Sequence, residues 1–282
     1  MIKIVDQIQR DVLGSTDHHP RRAIAYKYPA QQVTTQITSI DYQVGRTGII
    51  TPVANLAPVL LSGVTISRAS LHNFDFISQK DIRLHDTVRI QRSGEVIPYI
   101  VRVVTEARPA DATPIQKPTH CPSCDHHLEY DDIYIYCPNT HGCPAQRKER
   151  IIHYVSKQCM DIDGLGDKYV DVLVDNGFIE NIADLYTLHE KDRTLRSLPG
   201  FADKRVEQII DQVEQSKSRE LWRLINGLGF PSIGKKLAKE IEQAMINAAL
   251  ETSNSQLETF VSYLTNSERL TAIYGVGETI VE

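Results

Sequence analysis

The sequence predicts a multidomain protein in which an all-β barrel precedes a small four-cysteine ribbon and an all-α region. Three observations support this order. Short alternating or apolar runs, separated by glycine and proline, fill residues 34–104. Four cysteines follow within residues 121–143, and beyond Gln146 the hydrophobic period becomes helical and stays so to the end. A chain of 282 residues, 41% hydrophobic and 24% charged, is long enough for two or more domains.

The β region contains about five short strands in roughly 70 residues, which favours a small closed barrel. The predicted strands are residues 36–44, 48–53, 57–66, 87–90 and 97–103. Ahead of them, a short strand-like piece and a loop lead to residues 21–29, which alternate like a strand ended by Pro29. We expect this N-terminal part to be too small to fold alone.

Two cysteine pairs predict a structural zinc site. Two residues separate Cys121 from Cys124 and five separate Cys137 from Cys143, a spacing that can close a tetrahedral site. Four thiolates fill the coordination sphere and leave no position for a substrate water, which excludes a catalytic zinc. The alternative is a pair of disulfides in a secreted protein, but no apolar core of signal-peptide length begins the chain. We therefore expect a cytoplasmic protein without a membrane segment, and we interpret the fifth cysteine, Cys159, as a packed small hydrophobe.

The helical region is locally basic although the formal net charge of the chain is −5. Lysines and arginines are dense within residues 191–239, and the chain turns acidic after Glu240. Local patches of charge, more than the net charge, attract nucleic acid. A solvated helix face remains the alternative for such a run.

A small-apolar-small turn ahead of a helix-forming run occurs four times in this region. The first small residues of the four copies are Gly164, Gly200, Ser232 and Gly275. Such turns expose the first backbone N–H groups of the next helix, where a phosphate oxygen can bind. The pattern resembles the helix-hairpin-helix motif, which binds the DNA backbone without reading bases; the alternative is ordinary helix C-caps in a bundle. The resemblance implies DNA contacts at Gly164, Gly166, Lys168, Gly200, Lys204, Gly234, Lys235 and Lys236.

Longer motifs resemble the C-terminal half of the NAD-dependent DNA ligases of bacteria, over essentially all of the chain. They are Arg21-x-Ala-Ile-Ala-Tyr-Lys27-Tyr-Pro, Val44-Gly-Arg46-Thr-Gly, Ser67-Arg-Ala-Ser-Leu-His-Asn73, Arg92-Ser-Gly-Glu-Val-Ile-Pro98 and Met160-Asp-Ile-Asp-Gly-Leu-Gly-Asp-Lys168. The resemblance implies a remnant of the nucleotidyltransferase (adenylation) domain at residues 1–30 and an OB-fold at 31–112. It further implies a zinc ribbon at 113–150 and a helix-hairpin-helix DNA-binding domain at 151–282.

Ligases of this family use NAD and Mg²⁺ to seal nicks between a 5′ phosphate and a 3′ hydroxyl in duplex DNA, in replication and repair. Each step transfers a phosphoryl-type group, so cations must stabilise charge on the phosphate oxygens. The resemblance implies that Lys3 and Lys27 lie near the AMP. It also implies that Arg21 and Arg46 contact phosphate or the DNA backbone.

The main departure from the family is that the sequence contains no Lys-x-Asp-Gly motif. The lysine that the family adenylates is therefore missing from these 282 residues. We expect a monomeric fragment that binds nicked double-stranded DNA and needs an N-terminal adenylation segment, in cis or in trans, to ligate. The alternatives are half of a split ligase, a non-catalytic, sequence-independent DNA-binding module, and a non-functional remnant or a gene with a misplaced start codon.

Overall fold

The computed structural model describes residues 1–16, 19–26, 30–93 and 97–252, together with residues 260, 262, 266–271 and 273. The chain divides into two compact units. Unit 1 comprises residues 1–42 and 51–117, and unit 2 comprises residues 43–50 and 118–282. The predicted fold class is confirmed, because a β-barrel, a four-cysteine cluster and a helical region are all present. No helix in the described part is both long and apolar enough to cross a bilayer.

Unit 1 contains a closed barrel with the strand order β3-β4-β5-β8-β7. Its strands are β3 (Gln32–Val44), β4 (Ile50–Leu61), β5 (Val64–Ser70), β7 (Thr87–Ser93) and β8 (Ile97–Val103), and the smaller elements of the unit are β1 (Ile2–Lys3), α1 (Gln7–Leu13), β2 (Ala23–Ile24), α2 (Phe74–Gln79), β6 (Arg83–Leu84) and β9 (Thr113–Pro114). The pairs β3–β7, β4–β5 and β7–β8 are antiparallel, whereas β5 and β8 are parallel. Alternate residues such as Val88 and Ile90 point inward and are fully buried, as the pleat of a strand requires.

The predicted strand at residues 57–66 is wrong. β4 continues from Ile50 to Leu61, and the chain turns at Ser62 and Gly63, whose φ angles are 52° and 78°. Two consecutive positive φ values are typical of a tight two-residue hairpin turn. Apolar residues lie on both sides of this turn, so the sequence there looks like one continuous hydrophobic run. The end of β4 and the start of β5 were therefore predicted as a single strand.

A buried carboxylate connects distant segments of unit 1. Asp86 has no exposed surface, and Arg108 donates to its two oxygens from Nε at 2.7 Å and from Nη2 at 3.0 Å. The backbone N–H of Arg83 also donates to Asp86, at 2.8 Å. Arg108 extends further to Asp81 through Nη1, at 2.6 Å. The segment that follows β8 is thereby held to the turn between β6 and β7.

The N-terminal segment of unit 1 has almost no interior. β1 pairs with β2, and none of the residues of α1 is buried. Val5, Ile8 and Val12 are 75–84% exposed. The sequence pattern did not predict α1, and the strand expected at residues 21–29 is limited to Ala23–Ile24; residues 27–29 lie outside the described part.

Unit 2 combines the ribbon with a set of helices. Its elements are β10 (Glu129–Asp131), β11 (Tyr134–Tyr136), α3 (Pro144–Val155), α4 (Asp167–Asp175), a 3-10 segment (Ala183–Lys191), α5 (Asp192–Leu195), α6 (Asp203–Ser216), α7 (Leu221–Leu228), α8 (Lys235–Thr252) and a last helix (Ser267–Thr271). One hydrophobic cluster lies among α3, α4, α6 and the 3-10 segment. A second cluster forms between α7 and α8 around Trp222, Ile225 and Ile241.

Candidate metal centre and nucleic-acid interface

The four predicted zinc ligands come together. Their sulfur atoms all lie within 4.8 Å of one another, with 3.9 Å between Cys121 and Cys143 and 3.6 Å between Cys124 and Cys137. A tetrahedron of sulfurs about 2.3 Å from a zinc ion has edges of about 3.8 Å, so the cluster has the size of a zinc site. All four thiols are free, which excludes the alternative of paired disulfides.

Local backbone geometry positions each cysteine pair. The turn after Cys121 and Cys124 is closed by Asp125, which has a φ of 57° and donates its N–H to the Cys121 carbonyl at 2.9 Å. The second pair spans the end of the β10–β11 hairpin and the start of α3, where Cys143 is the N-cap and Pro144 the first helical residue. The zinc ligands thus flank short elements that contribute little core of their own.

The cluster has the chemistry of a metal site. Burial raises the pKa of the Cys137 thiol to about 12 and also raises the pKa of Cys121. Thiolates are the form that binds metal, and only a bound cation would keep several of them ionised together. The residues therefore fit zinc, and four protein ligands make the site structural.

Residues 43–50, which contain the β3–β4 loop, belong to unit 2, and the loop packs on the ribbon. The Cys137 N–H donates to the Gly48 carbonyl at 2.9 Å, and Ile49 forms a bridge with Tyr136. Gly48 has a φ of 85°, and a β-carbon added there would lie 2.5 Å from the Cys137 carbonyl oxygen. That oxygen also accepts a hydrogen bond at 2.9 Å from the side chain of Gln146, which is buried. Only glycine fits at position 48.

Arg46, predicted to contact DNA, already has a partner within unit 2. Its Nη1 donates to the Gly229 carbonyl at 2.7 Å. Gly229 is the C-cap of α7, with a φ of 71°, and an added β-carbon there would collide with the Arg46 guanidinium. His153 contacts the same helix end, with Nε2 2.9 Å from the Asn226 carbonyl. The prediction for Arg46 stays a prediction, with one of its nitrogens occupied.

The first three copies of the predicted hairpin share one backbone geometry. Their first small residues, Gly164, Gly200 and Ser232, all have positive φ, at 90°, 86° and 60°. In each copy, the residue two positions later directly precedes the next helix. Its carbonyl accepts a hydrogen bond from the backbone N–H of the residue four positions further along the chain. The helices begin at Asp167, Asp203 and Lys235. The fourth copy, at Gly275, lies outside the described residues.

The predicted hairpin lysines occupy equivalent positions. Lys168, Lys204 and Lys236 are each the second residue of a helix, and all three are exposed. A β-carbon added at Gly166 or Gly234 would meet nothing within 4 Å, so the starts of the first and third helices are open. Exposed lysines beside free helix N–H groups can bind anions such as phosphates.

The remaining predicted residues lie in the N-terminal segment. Lys3 is exposed in β1, and Arg21 is exposed ahead of β2. Lys27 lies outside the described residues. The roles expected for Lys3, Lys27 and Arg21 therefore stay predictions.

Sequence reasoning missed several residues around these sites. Gln146 supports the ribbon, while Trp222 has lysines of α8 over its ring. Neither carries a local signal, because each contact joins residues of different elements: Gln146 in α3 with the Cys137 carbonyl, and Trp222 in α7 with lysines of α8. Cys159 is fully buried, and burial raises its thiol pKa, as befits a packed residue.

Three family models match the chain in succession. Residues 34–112 match the NAD-dependent DNA ligase OB-fold domain, and residues 120–145 match the NAD-dependent DNA ligase C4 zinc finger domain. Residues 158–215 match the SAM-like helix-hairpin-helix tandem, which includes the first two hairpins but ends before the third.

Curated relatives are DNA ligases of bacteria. The chain is 44% identical to the DNA ligase of Coprothermobacter proteolyticus over 259 residues, which are 91% of this chain and 38% of the relative. It is 45% identical to the DNA ligase of Pelodictyon phaeoclathratiforme over 263 residues, 92% of this chain and 39% of the relative. It is 40% identical to that of Synechococcus sp. strain CC9902 over 284 residues, 100% of this chain and 40% of the relative. The chain thus spans about two fifths of the length of these relatives, and the matches support a C-terminal region of an NAD-dependent DNA ligase with OB-fold, zinc and helix-hairpin-helix domains.

Proposed function

We propose that this chain is the DNA-holding part of an NAD-dependent DNA ligase that seals 5′-phosphate/3′-hydroxyl nicks in duplex DNA, in replication and repair. The observation that carries the proposal is the hairpin geometry, which three times places an exposed lysine as the second residue of a helix that follows a positive-φ turn. Such a surface suits phosphates spaced along a backbone and offers little that distinguishes bases. Binding should be largely independent of DNA sequence.

The proposed contacts come from both units. In the helical region they are the loops at Gly164, Gly166, Gly200 and Gly234 with their lysines, and in unit 1 the exposed Arg21. Arg46 would use the guanidinium nitrogens that do not bind Gly229. The zinc ribbon has a structural role and holds the β3–β4 loop through Gly48.

The 282 residues alone should not activate a DNA end. Without a Lys-x-Asp-Gly motif, the chain has no lysine matching the one that the family adenylates. NAD would supply the AMP, and Mg²⁺ would help to neutralise phosphate charge, on an adenylation segment supplied in cis or in trans. Lys3 and Lys27 would complete that nucleotide site. The exposed apolar side chains of Val5, Ile8 and Val12 support this, because they offer a surface for such a segment.

The proposal is tested by binding and ligation with the same nicked duplex. Fluorescence anisotropy should show that the logarithm of the affinity falls with the logarithm of salt concentration, by about 0.9 per neutralised phosphate. Gel analysis with NAD and Mg²⁺ should show no sealing by the chain alone. Sealing should appear when the N-terminal portion of a relative that carries Lys-x-Asp-Gly is added. Affinity that is insensitive to salt, or sealing by the chain alone, would contradict the proposal.

The second candidate is a free-standing, non-catalytic DNA-binding module, which the repeated hairpin turns with exposed lysines would also suit. The intact mass of the native protein from its source cells separates the two. A longer chain, partly carrying AMP, indicates a complete ligase. A chain of these 282 residues without AMP indicates the module or half of a split enzyme, and the complementation assay then distinguishes those. We expect the protein to be a monomer, which size-exclusion chromatography with light scattering checks.

A further inference from the structure

The three described hairpins differ in charge at two positions on one helix face. These are the first and fifth residues of the helix, four apart and therefore neighbours on its surface. Both positions are acidic in the first two hairpins and basic in the third: Asp167 and Asp171, Asp203 and Glu207, Lys235 and Lys239. The backbone repeats, but the charge of this face is reversed in the third copy.

In the first two hairpins, carboxylates of this face bind cations of the protein itself. Asp171 lies 3.2 Å from Lys148 Nζ. Asp203 and Glu207 lie 2.8 Å and 3.7 Å from Arg196 Nη1. These faces are engaged in ion pairs, and their negative charge would repel a phosphate.

In the third hairpin, an aromatic ring takes the place of the ion pairs. Lys235 Nζ and Lys239 Nζ lie 5.2 Å and 5.0 Å from the centroid of the Trp222 ring, within cation–π range. Trp222 is 7% exposed, and Glu242 accepts a hydrogen bond from its backbone N–H at 3.1 Å. Both lysines are exposed, and neither has an ion-pair partner among the described residues. The ring therefore holds two cations whose charge is not neutralised by a carboxylate.

This arrangement is unfavourable for the protein alone. The start of a helix carries a partial positive charge, so acidic residues stabilise it and lysines do not. The third hairpin nevertheless places three lysines in its first five positions, Lys235, Lys236 and Lys239. A bound anion removes the repulsion among these charges, because it interacts favourably with all of them and with the helix N–H groups.

We propose that Trp222, Lys235 and Lys239 form the main phosphate-binding face of the helical region, with Lys236 beside it. The third hairpin then makes the larger share of the contacts to the DNA backbone, and the corresponding faces of the first two hairpins do not bind phosphate. Trp222 is a positioning residue that holds the two lysine side chains over its ring. This inference rests on the proposed DNA-binding function and assigns it to one hairpin.

Two double variants that remove equal charge test the assignment. Lys235→Gln with Lys239→Gln removes the proposed face, and Lys168→Gln with Lys204→Gln removes two lysines from the other hairpins. Anisotropy with one nicked duplex, at salt concentrations between about 50 and 200 mM, gives the salt slope of each variant, which is the change in log affinity with log salt concentration. The salt slope of the first variant should be smaller in magnitude than that of the wild type by about 1.8, the value for two phosphates. The slope of the second variant should fall by clearly less. Equal losses, or a larger loss in the second variant, would overturn the inference.

The wild-type result separates this inference from the function on which it rests. If the wild-type chain does not bind DNA in a salt-dependent way, the proposed function itself fails. If the wild type binds but Lys235→Gln with Lys239→Gln leaves its slope unchanged, only the assignment to the third hairpin fails. Thermal unfolding without DNA adds a control: this variant loses both the repulsion between the lysines and their contacts with the Trp222 ring, so its melting temperature should stay close to that of the wild type. A lower melting temperature with unchanged DNA affinity would show that the two lysines are structural.

Trp222 is tested by variants that keep the charges. Trp222→Leu should lower the DNA affinity several-fold and leave the salt slope intact, because the lysines remain but are no longer held. Trp222→Phe keeps an aromatic ring and should restore most of the affinity. Amide hydrogen exchange across α7 and α8 checks that both variants are folded. Equal wild-type affinity in both folded variants would refute the positioning role.

Discussion

Replacing Gly48 with alanine should weaken zinc binding, although Gly48 is not a ligand. The new β-carbon would lie 2.5 Å from the carbonyl oxygen of the ligand Cys137, about 0.9 Å closer than ordinary van der Waals contact. Either the loop or the Cys137 carbonyl must move. The carbonyl accepts the Gln146 amide at 2.9 Å, so its movement would break a buried hydrogen bond.

The size of the effect follows from two costs. Alanine at a φ of 85° loses about 1–2 kcal/mol as a left-handed residue. Loss of a partner for the buried Gln146 amide adds about 1–3 kcal/mol. Because zinc binding and ribbon folding are coupled, a total of about 2–5 kcal/mol would reduce the apparent zinc affinity by roughly 30-fold to several thousand-fold.

Competition with a chromophoric chelator measures the zinc affinity. Two further alanine variants separate the effect of the steric clash from the effect of left-handed backbone strain. Gly45→Ala, in the same loop, brings a β-carbon only to 3.6 Å from the Ile49 carbonyl and should be nearly neutral. Gly63→Ala has a φ of 78° and open space, so it should reduce barrel stability and leave zinc affinity unchanged. A zinc affinity of Gly48→Ala equal to that of Gly45→Ala would refute the reasoning.

Three further predictions concern stability. Asp86→Asn should destabilise unit 1 by about 3–5 kcal/mol in urea unfolding, because it leaves the Arg108 charge without its buried partner; Asp111→Asn, at an exposed pair, should change stability by less than about 0.5 kcal/mol, and equal losses would contradict this. The hydrogen bond from Arg108 lowers the pKa of Asp81, so Asp81 should stabilise the fold above about pH 4 and lose this contribution as the pH falls through its lowered pKa. A difference between the acid-unfolding curves of the wild type and Asp81→Asn that does not shrink at low pH would count against it. Ser232→Gly should raise the melting temperature, because Ser232 has a φ of 60° where the first two hairpins have glycine, whereas Gly200→Ser should lower it; the opposite order would exclude left-handed strain as the cause.

The sequence predicted best those features that depend on nearby residues. The spacing of Cys121, Cys124, Cys137 and Cys143 was enough for the metal site, since the turns that join each pair are local. Small residues likewise predicted the hairpin turns, where Gly164, Gly200 and Ser232 prove to have positive φ. Family motifs extended these local signals to the whole chain.

Features that need partners distant in sequence could not be predicted. Arg46 was expected on DNA, and its hydrogen bond to Gly229 depends on how the β3–β4 loop packs in unit 2. The pairing of Asp86 with Arg108 links residues 22 positions apart without a motif. The turn at Ser62 and Gly63 was missed for a different reason, because apolar residues on both sides concealed it. Hydrophobic periodicity indicates which face of a helix or strand is buried, but it does not indicate which residues that face contacts.

The contact between Arg46 and Gly229 can form only late in synthesis of the chain on the ribosome. The two residues are 183 positions apart, and residues 51–117 of unit 1 are made in the interval between them. At roughly 5–20 residues per second, about 10–40 s pass before the carbonyl that accepts the Arg46 guanidinium is available. The barrel therefore has time to fold first. The β3–β4 loop can complete its contacts only after the segment that contains Gly229 has been made.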